Sequence, residues 1–335
     1  MISSSVAVNH IPEKKIEYRY DTTGRWFKGS LHLHTVSSDS HLTFDELVAK
    51  YAAKKYDFIS VTDHWCLPRP SGSRDAAALM VINGVEIDGF DNLGSYYHVL
   101  AIGAKPEASV LTGNFTKSLR DFYAQGAVLI WAHPHWTGNS LREGMRHKFH
   151  GLEVYNHSSE CENGSGYALS YWDGMLLHNP DFLGFATDDS HFIPGQPSWN
   201  GGWIMVNAAA CTQQEILQNI RRGNFYSSQG PDFSSIKYGR NTVKITTSPV
   251  TYIRLIGPRR TGQHLNALDK EPLRQAEFEL PPDWHSARIE IEDAAGKKAW
   301  SNPLWQNYSR MSRQVAAGTG ATLPPGRHSI LPFQG

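Results

Sequence analysis

The sequence predicts an α/β protein: strands alternating with helices in a barrel-like layout, then a small antiparallel β segment. Three observations predict it. The apolar runs Phe58–Val61, 127–131 and 182–186 carry no polar face, as expected of strands covered by helices on both sides. Helix-start signals fall between such runs. After about residue 231 the texture changes to period-two alternation in 243–247, Tyr252–Ile256 and 287–292, the signature of antiparallel strands.

In chain order, residues 1–24 read as a short polar extension without a basic n-region or an apolar h-region. Residues 25–230 carry the strand–helix alternation. Thr43 to Glu46 has the form of a capping box, followed by an apolar stripe of Leu47, Val48, Tyr51 and Ala52. A second helix is expected over 116–123, stopped by Gln125-Gly126. A third begins at Thr212 with Glu215 in the capping position, presents Ile216, Leu217 and Ile220, and ends at Gly223. Residues 231–306 are expected to form the β segment, and 307–335 a loosely packed tail rich in Gly, Ser and Pro.

Bulk composition narrows the function classes. The 335 residues include 32 basic and 32 acidic side chains, a net charge of zero, and no basic stripe of the kind a long polyanion needs. Long nucleic acid is therefore not an expected partner. Three widely spaced cysteines, Cys66, Cys161 and Cys211, argue against a disulfide framework and for a cytoplasmic protein. No apolar run approaches the roughly 20 residues that span a bilayer.

Chemistry-bearing residues gather where the apolar runs end. His32-Leu33-His34-Thr35 is followed by Ser38-Asp39, then by Thr62-Asp63-His64, Glu86, His98, His133-Pro134 and Asp189-Ser190-His191. Side chains two apart on a strand point the same way, so His32 and His34 can share one ion. Glu86 lies between Val85 and Ile87, where a buried charge needs a partner. Mixed imidazole and carboxylate donors suit Zn, Mn or Fe over Ca.

This ordered set resembles the PHP superfamily (polymerase and histidinol phosphatase), over about residues 28–230. Residues 221–231 also resemble the end of the PHP portion in a bacterial subgroup with a C-terminal β appendage. The resemblance implies a distorted (β/α)7 barrel holding two to three divalent metal ions. It implies one ion on His32, His34, Glu86 and Asp189, a second on Asp39, His64 and His191, and a third on His98, His133 and a bridging Glu86. Asp189 is preferred to Asp188 on the family's Asp-x-His spacing.

The expected activity is that of a metal-dependent phosphoesterase acting on a small phosphomonoester, phosphodiester or cyclic phosphate. Clustered divalent ions lower the pKa of water and neutralise phosphoryl oxygens, so a metal-bridging hydroxide is expected to attack phosphorus directly. Asp39, His64 and His191 are the expected catalytic residues, with ligation the preferred role of His191 over leaving-group protonation. Asp63 is expected to orient a ligand or cap a helix, and the 153–156 stretch is balanced between lining the pocket and packing. Arg69, Arg74, Arg142 and Arg146 are candidates for phosphate contact, and Trp65, Trp136 and Trp199 for stacking. Two other readings stay open: amide or lactone hydrolysis on the same centre, and a metal-stabilised binding or regulatory module. The β segment is read as a homo-oligomer interface, a roof over the site, or a cover for the barrel's edge.

Overall fold

The computed structural model describes residues 17–67, 79–105, 111, 113–259, 261–268 and 270–306. Residues Tyr18–Gln306 form one compact unit. Its elements run β1 (Glu17–Tyr18), β2 (Arg25–Ser30), α1 (Phe44–Ala53), β3 (Phe58–Val61), β4 (Met80–Phe90), β5 (Tyr96–Ile102), α2 (Phe115–Ala124), β6 (Val128–Trp131), α3 (Leu141–Gly144), β7 (Gly151–Asn156), α4 (His157–Asn163), α5 (Leu169–His178), β8 (Leu183–Thr187), β9 (Trp203–Ala208), α6 (Gln213–Arg222) and β10 (Phe225–Ser228). Then come β11 (Phe233–Tyr238), β12 (Thr242–Val250), β13 (Tyr252–Ile256), β14 (Gly262–Asn266), β15 (Leu273–Glu279), β16 (Arg288–Glu292), β17 (Lys298–Ser301) and β18 (Trp305–Gln306).

The three expected helices form where their caps place them. Thr43 closes a reciprocal capping box with Glu46 at the start of α1. Asn114 caps α2, and Thr212 caps α6 by accepting from the Glu215 N–H. Gly223 ends α6 in the left-handed conformation that favours glycine. Helices α3, α4 and α5 were not anticipated, although Ser140 and Glu143 form a further capping box at α3.

The fold is mixed α/β, with a large sheet ordered β14-β13-β16-β17-β10-β9-β2-β3-β4-β5-β6-β7-β8. Strands β2, β3 and β4 pair in parallel, as do β6, β7 and β8. The side chains of β3, β6, β7 and β8 are buried throughout, which accounts for the unbroken apolar runs. Strand β5, by contrast, is antiparallel to both β4 and β6. The cause is local: the β4–β5 connection is a tight turn in which the Asp91 carboxylate accepts the Leu93 and Ser95 N–H groups, too short for a crossover helix. Strand β9 is likewise antiparallel to β2 and β10. At the far edge β8 meets β10 through side chains: Ser227 Oγ donates to Gly184 O at 2.9 Å and accepts the Ala186 N–H at 2.8 Å.

The period-two runs after 231 form antiparallel strands. Strands β11, β12 and β15 make a separate three-stranded sheet, while β13, β14, β16 and β17 extend the large sheet through β10. Tyr226 on β10 packs with Phe233, Ile245, Ile253 and Ile291 in one core cluster. A close approach fixes the first site-bearing strand: a Cβ at Gly29 would lie 2.0 Å from the Phe58 ring, so only glycine lets the Phe58 ring lie across β2 there.

Candidate metal centre

The site is assembled from strand ends. Beyond β2 the chain stays extended: the His34 N–H donates to Ser190 O, the Asp189 N–H to His32 O and the Thr62 N–H to Leu33 O. This ladder sets His32 and His34 on one side, ring centroids 5.0 Å apart, as period two requires. Glu86 projects from β4 and is 1% exposed. Its Oε1 lies 2.7 Å from His98 Nδ1 and 3.5 Å from His133 Nε2. Its Oε2 lies 2.9 Å from His32 Nε2, 3.2 Å from His34 Nε2 and 3.5 Å from His64 Nε2. One buried carboxylate thus meets five imidazoles.

Asp189 approaches the same rings, with Oδ1 3.0 Å from His32 Nε2 and 3.1 Å from His34 Nε2. Its neighbour Asp188 is turned away and accepts from the Tyr51 hydroxyl and from the N–H groups of Asn200, Gly201 and Gly202. Asp39 stands at the half-exposed rim, its Oδ2 3.3 Å from His191 Nε2 and 3.6 Å from His64 Nε2. The structure therefore brings all nine expected ligand positions into one cluster. By donor atoms within 4.8 Å of one another, they group as His32, His34, Glu86 and Asp189; as His34, Asp39, His64 and His191; and as His64, Glu86 and His98. The first group matches the expected set, and the second adds His34. His133 groups instead with His32 and Glu153.

The electrostatics are those of a cation site. Glu86, Glu153 and Asp189 are buried together, which is tolerable only with compensating positive charge. Among the described residues no Lys or Arg is recorded in an ion pair or hydrogen bond with these three. Burial opposes charging His64, yet the Asp88 hydrogen bond and the Glu86 and Asp39 charges raise its pKa to about 9. His191 is raised to about 9 against burial by its hydrogen bond to Asp39 and by the Asp189 charge. For Glu86, burial is outweighed by His32, His98 and His133, which hold it well below the usual carboxylate range. His133 Nδ1 is buried without a hydrogen-bond partner. Divalent ions fit this donor set, and the carboxylates that now attract protons to the rings would attract them instead.

Other expectations resolve individually. Asp63 caps no helix; it accepts the Thr35 N–H, the Thr35 hydroxyl and the Ser38 hydroxyl, pinning the loop that carries Asp39. Arg69 and Arg74 lie outside the described residues. Arg142 is exposed on α3. Arg146 binds Asp91 and Ser95, so its guanidinium is engaged by the β4–β5 turn. Trp136 packs against His133 and His98 at 5.1 and 5.8 Å and is 47% exposed. The Trp65 indole donates to Asp88 O, and Trp199 packs on Tyr51 and Phe192.

Two further carboxylates stand at the site: Asp88, which was not among the expected residues, and Glu153, from the 153–156 stretch that the sequence left balanced between lining the pocket and packing. Asp88 accepts from His64 Nδ1 at 3.0 Å and from the Tyr96 hydroxyl at 2.7 Å. Glu153 accepts from His32 Nδ1 at 2.7 Å. Each had a sequence signal. Asp88 is two residues from Glu86, on the same strand face, and Glu153 is a charge inside the otherwise apolar β7.

The fold is mixed α/β, and comparison with solved structures finds it consistent with a PHP-like domain plus a β domain. The chain is similar to a two-domain protein from Bacteroides vulgatus containing a predicted PHP-like metal-dependent phosphoesterase: TM-score 0.50, 16% identity, 84% of this chain and 93% of that one. It also matches a proposed metal-dependent phosphoesterase from Bifidobacterium adolescentis, with TM-score 0.38, 14% identity, and 50% and 90% of the two chains. A third match is a sulfate-bound, metal-free amidohydrolase from Chromobacterium violaceum, with TM-score 0.22, 20% identity, and 51% and 57% coverage. The argument from fold rests on the first. No family profile and no curated protein matches the chain. The resemblance to the PHP superfamily read from the motifs is borne out at the level of the fold.

Proposed function

We propose that this chain is a metal-dependent phosphoesterase that hydrolyses a small phosphomonoester or a small phosphodiester or cyclic phosphate. The observation that carries the reading is Glu86, buried and within 3.5 Å of five imidazole nitrogens, with Asp39 and Asp189 within 3.6 Å of imidazoles in the same cluster. On this reading His32, His34, Glu86 and Asp189 hold one Mn, Zn or Fe ion, Asp39, His64 and His191 a second, and His98 and His133 with Glu86 a third. Such ions supply an activated water and neutralise charge developing on phosphoryl oxygens. Asp39 and His191, at the accessible rim, are the residues nearest an entering ester, and Trp136 offers its leaving group an aromatic face.

We take residues 25–230 as the catalytic body, a distorted barrel of PHP type whose seam is the β8–β10 contact, and 231–306 as its β appendage. Among the described residues no helix is long and apolar enough to cross a membrane. None of the three cysteines forms a disulfide, which supports a cytoplasmic setting. The test is phosphate release from phosphomonoesters, nucleotides, bisphosphates and cyclic phosphates by protein loaded with Mn, Zn or Fe, beside His32→Ala. Turnover of one ester class that the variant loses is expected. No release from protein carrying two or three metal equivalents would overturn the reading and turn attention to amides and lactones.

A further inference from the structure

Glu153, in the middle of β7, is fully buried and accepts four hydrogen bonds. Oε1 takes His32 Nδ1–H at 2.7 Å and the Thr187 hydroxyl at 2.8 Å. Oε2 takes the His133 N–H at 2.9 Å and Asn156 Nδ2 at 2.8 Å. Asn156 spends its second amide hydrogen on Asp189 Oδ2 at 3.1 Å and uses its carbonyl to cap α4. These bonds reach the strand ends of β2, β6 and β8, and they touch three of the nine clustered residues: His32, His133 and Asp189.

The donor groupings place Glu153 with His32 and His133 as a set able to hold an ion. The hydrogen-bond count argues otherwise. A carboxylate offers about four lone-pair positions, and all four are taken by protein donors. His32 turns Nδ1 to Glu153 and therefore turns Nε2 to Glu86 and Asp189. His133 has a positive φ of 22°, a conformation that non-glycine residues adopt only when their surroundings hold them there. Its N–H is the group Glu153 binds.

We infer that Glu153 is a positioning residue and not a metal ligand: with Asn156 it fixes the ring of His32, the backbone of His133 and the carboxylate of Asp189. The inference rests on the metal-centre reading and goes beyond it. It names the residue that sets the geometry of three ligands while contributing none. Hydrogen-bonding partners behind metal-binding imidazoles typically change metal affinity by about 10- to 100-fold when removed.

The experiment reads metal binding and not phosphate release, so that it stands apart from the choice of substrate. Mn²⁺ is titrated into the metal-free full chain of wild type, Glu153→Gln and Thr187→Val, with folding checked by circular dichroism. Co²⁺ visible spectra are recorded on the same proteins. Glu153→Gln keeps the shape of the side chain but replaces one oxygen with a donor, so one pair of bonds is lost. It is expected to bind the same number of ions as wild type, with about 10- to 100-fold weaker affinity and a shifted Co²⁺ spectrum. Thr187→Val removes a single bond to Oε1 and is expected to shift both in the same direction by less, which keeps the test decisive if Glu153→Gln does not fold. Loss of one equivalent with the others at wild-type affinity would make Glu153 a ligand and overturn the inference. Wild-type affinity and an unchanged spectrum in a folded variant would overturn it as well. A wild-type chain that binds no Mn²⁺ would overturn the metal centre and this inference together.

Discussion

Replacing Glu86 with Gln should remove two ions and not one, because its carboxylate belongs to two donor groups, His32–His34–Glu86–Asp189 and His64–Glu86–His98. The structure gives the size of the effect in both metal states. Without ions, the carboxylate compensates imidazoles at 2.7 to 3.5 Å. Removing one partner of a buried charge pair costs about 3–5 kcal/mol. The lower end applies here, since Asp189 and Glu153 still serve His32. With ions, each site occupied at one hundred times its Kd adds about 2.7 kcal/mol to the unfolding free energy. Wild type should therefore gain two such increments that Glu86→Gln forfeits. His98→Ala should forfeit only one. Urea unfolding with and without Mn²⁺, together with metal content after dialysis, measures both. A Glu86→Gln protein that keeps the wild-type metal count and the full Mn²⁺-dependent gain would refute the bridging geometry.

Two further outcomes follow from single contacts. Trp136→Ala removes the exposed ring beside His133 and His98, and the face it offers is worth about 0.5–1.5 kcal/mol. KM for an aryl phosphate should rise severalfold with little change in kcat, while an alkyl phosphate is unaffected; equal losses on both would refute a stacking role. His150 is pushed down to about 4 from the ordinary 6.5 by burial, with Arg221 adding to it, and its Nδ1 accepts the Leu129 N–H. Because the folded state resists this proton, the group costs nothing above pH 6.5 and destabilises progressively as pH falls from 6.5 towards 4. At pH 5 the penalty is about 2 kcal/mol, at roughly 1.4 kcal/mol per pH unit. His150→Gln, which can still accept from Leu129, should lose less stability than wild type between pH 7 and pH 5 in urea melts; parallel losses would show that His150 is not the acid-sensitive group.

The parts of the site legible in the sequence are those governed by strand alternation. His32 and His34 share a face because they are two apart, and Glu86 declares itself as a charge between apolar neighbours. Asp188 and Asp189 are adjacent and so point to opposite sides, and the Asp-x-His spacing of the family that the motifs resemble selects the one that faces the rings. The same logic applied one step further marks Asp88, on the Glu86 face. It also marks Glu153, inside β7, but a buried charge states only that it needs a partner. Beside the local Asn156, its donors come from residues 32, 133 and 187, separations no local pattern encodes. The fold was readable where strands are buried on both faces, and not at β5, where the capped Asp91 turn replaces a crossover. The arginines were the weakest inference because long side chains on loops are placed by tertiary contacts, and Arg146 is committed to Asp91 and Ser95.

What the sequence conceals most completely is backbone strain. His133 and Asp189 both have positive φ, at 22° and 54°, as do Trp65 at 53° and Phe192 at 52°. Each is a clustered residue or follows one directly in sequence. Glycine would adopt these conformations at no steric cost, whereas other residues there cost of order 1–3 kcal/mol each. A sequence selected for stability alone would put glycine at 133 and 189. Imidazole and carboxylate stand there instead, and the hydrogen bonds of Glu153 and Asn156 hold the backbone of one and the side chain of the other. Departure from local preference at these two positions, with a buried network compensating for it, is what the proposed chemistry of the cluster would require.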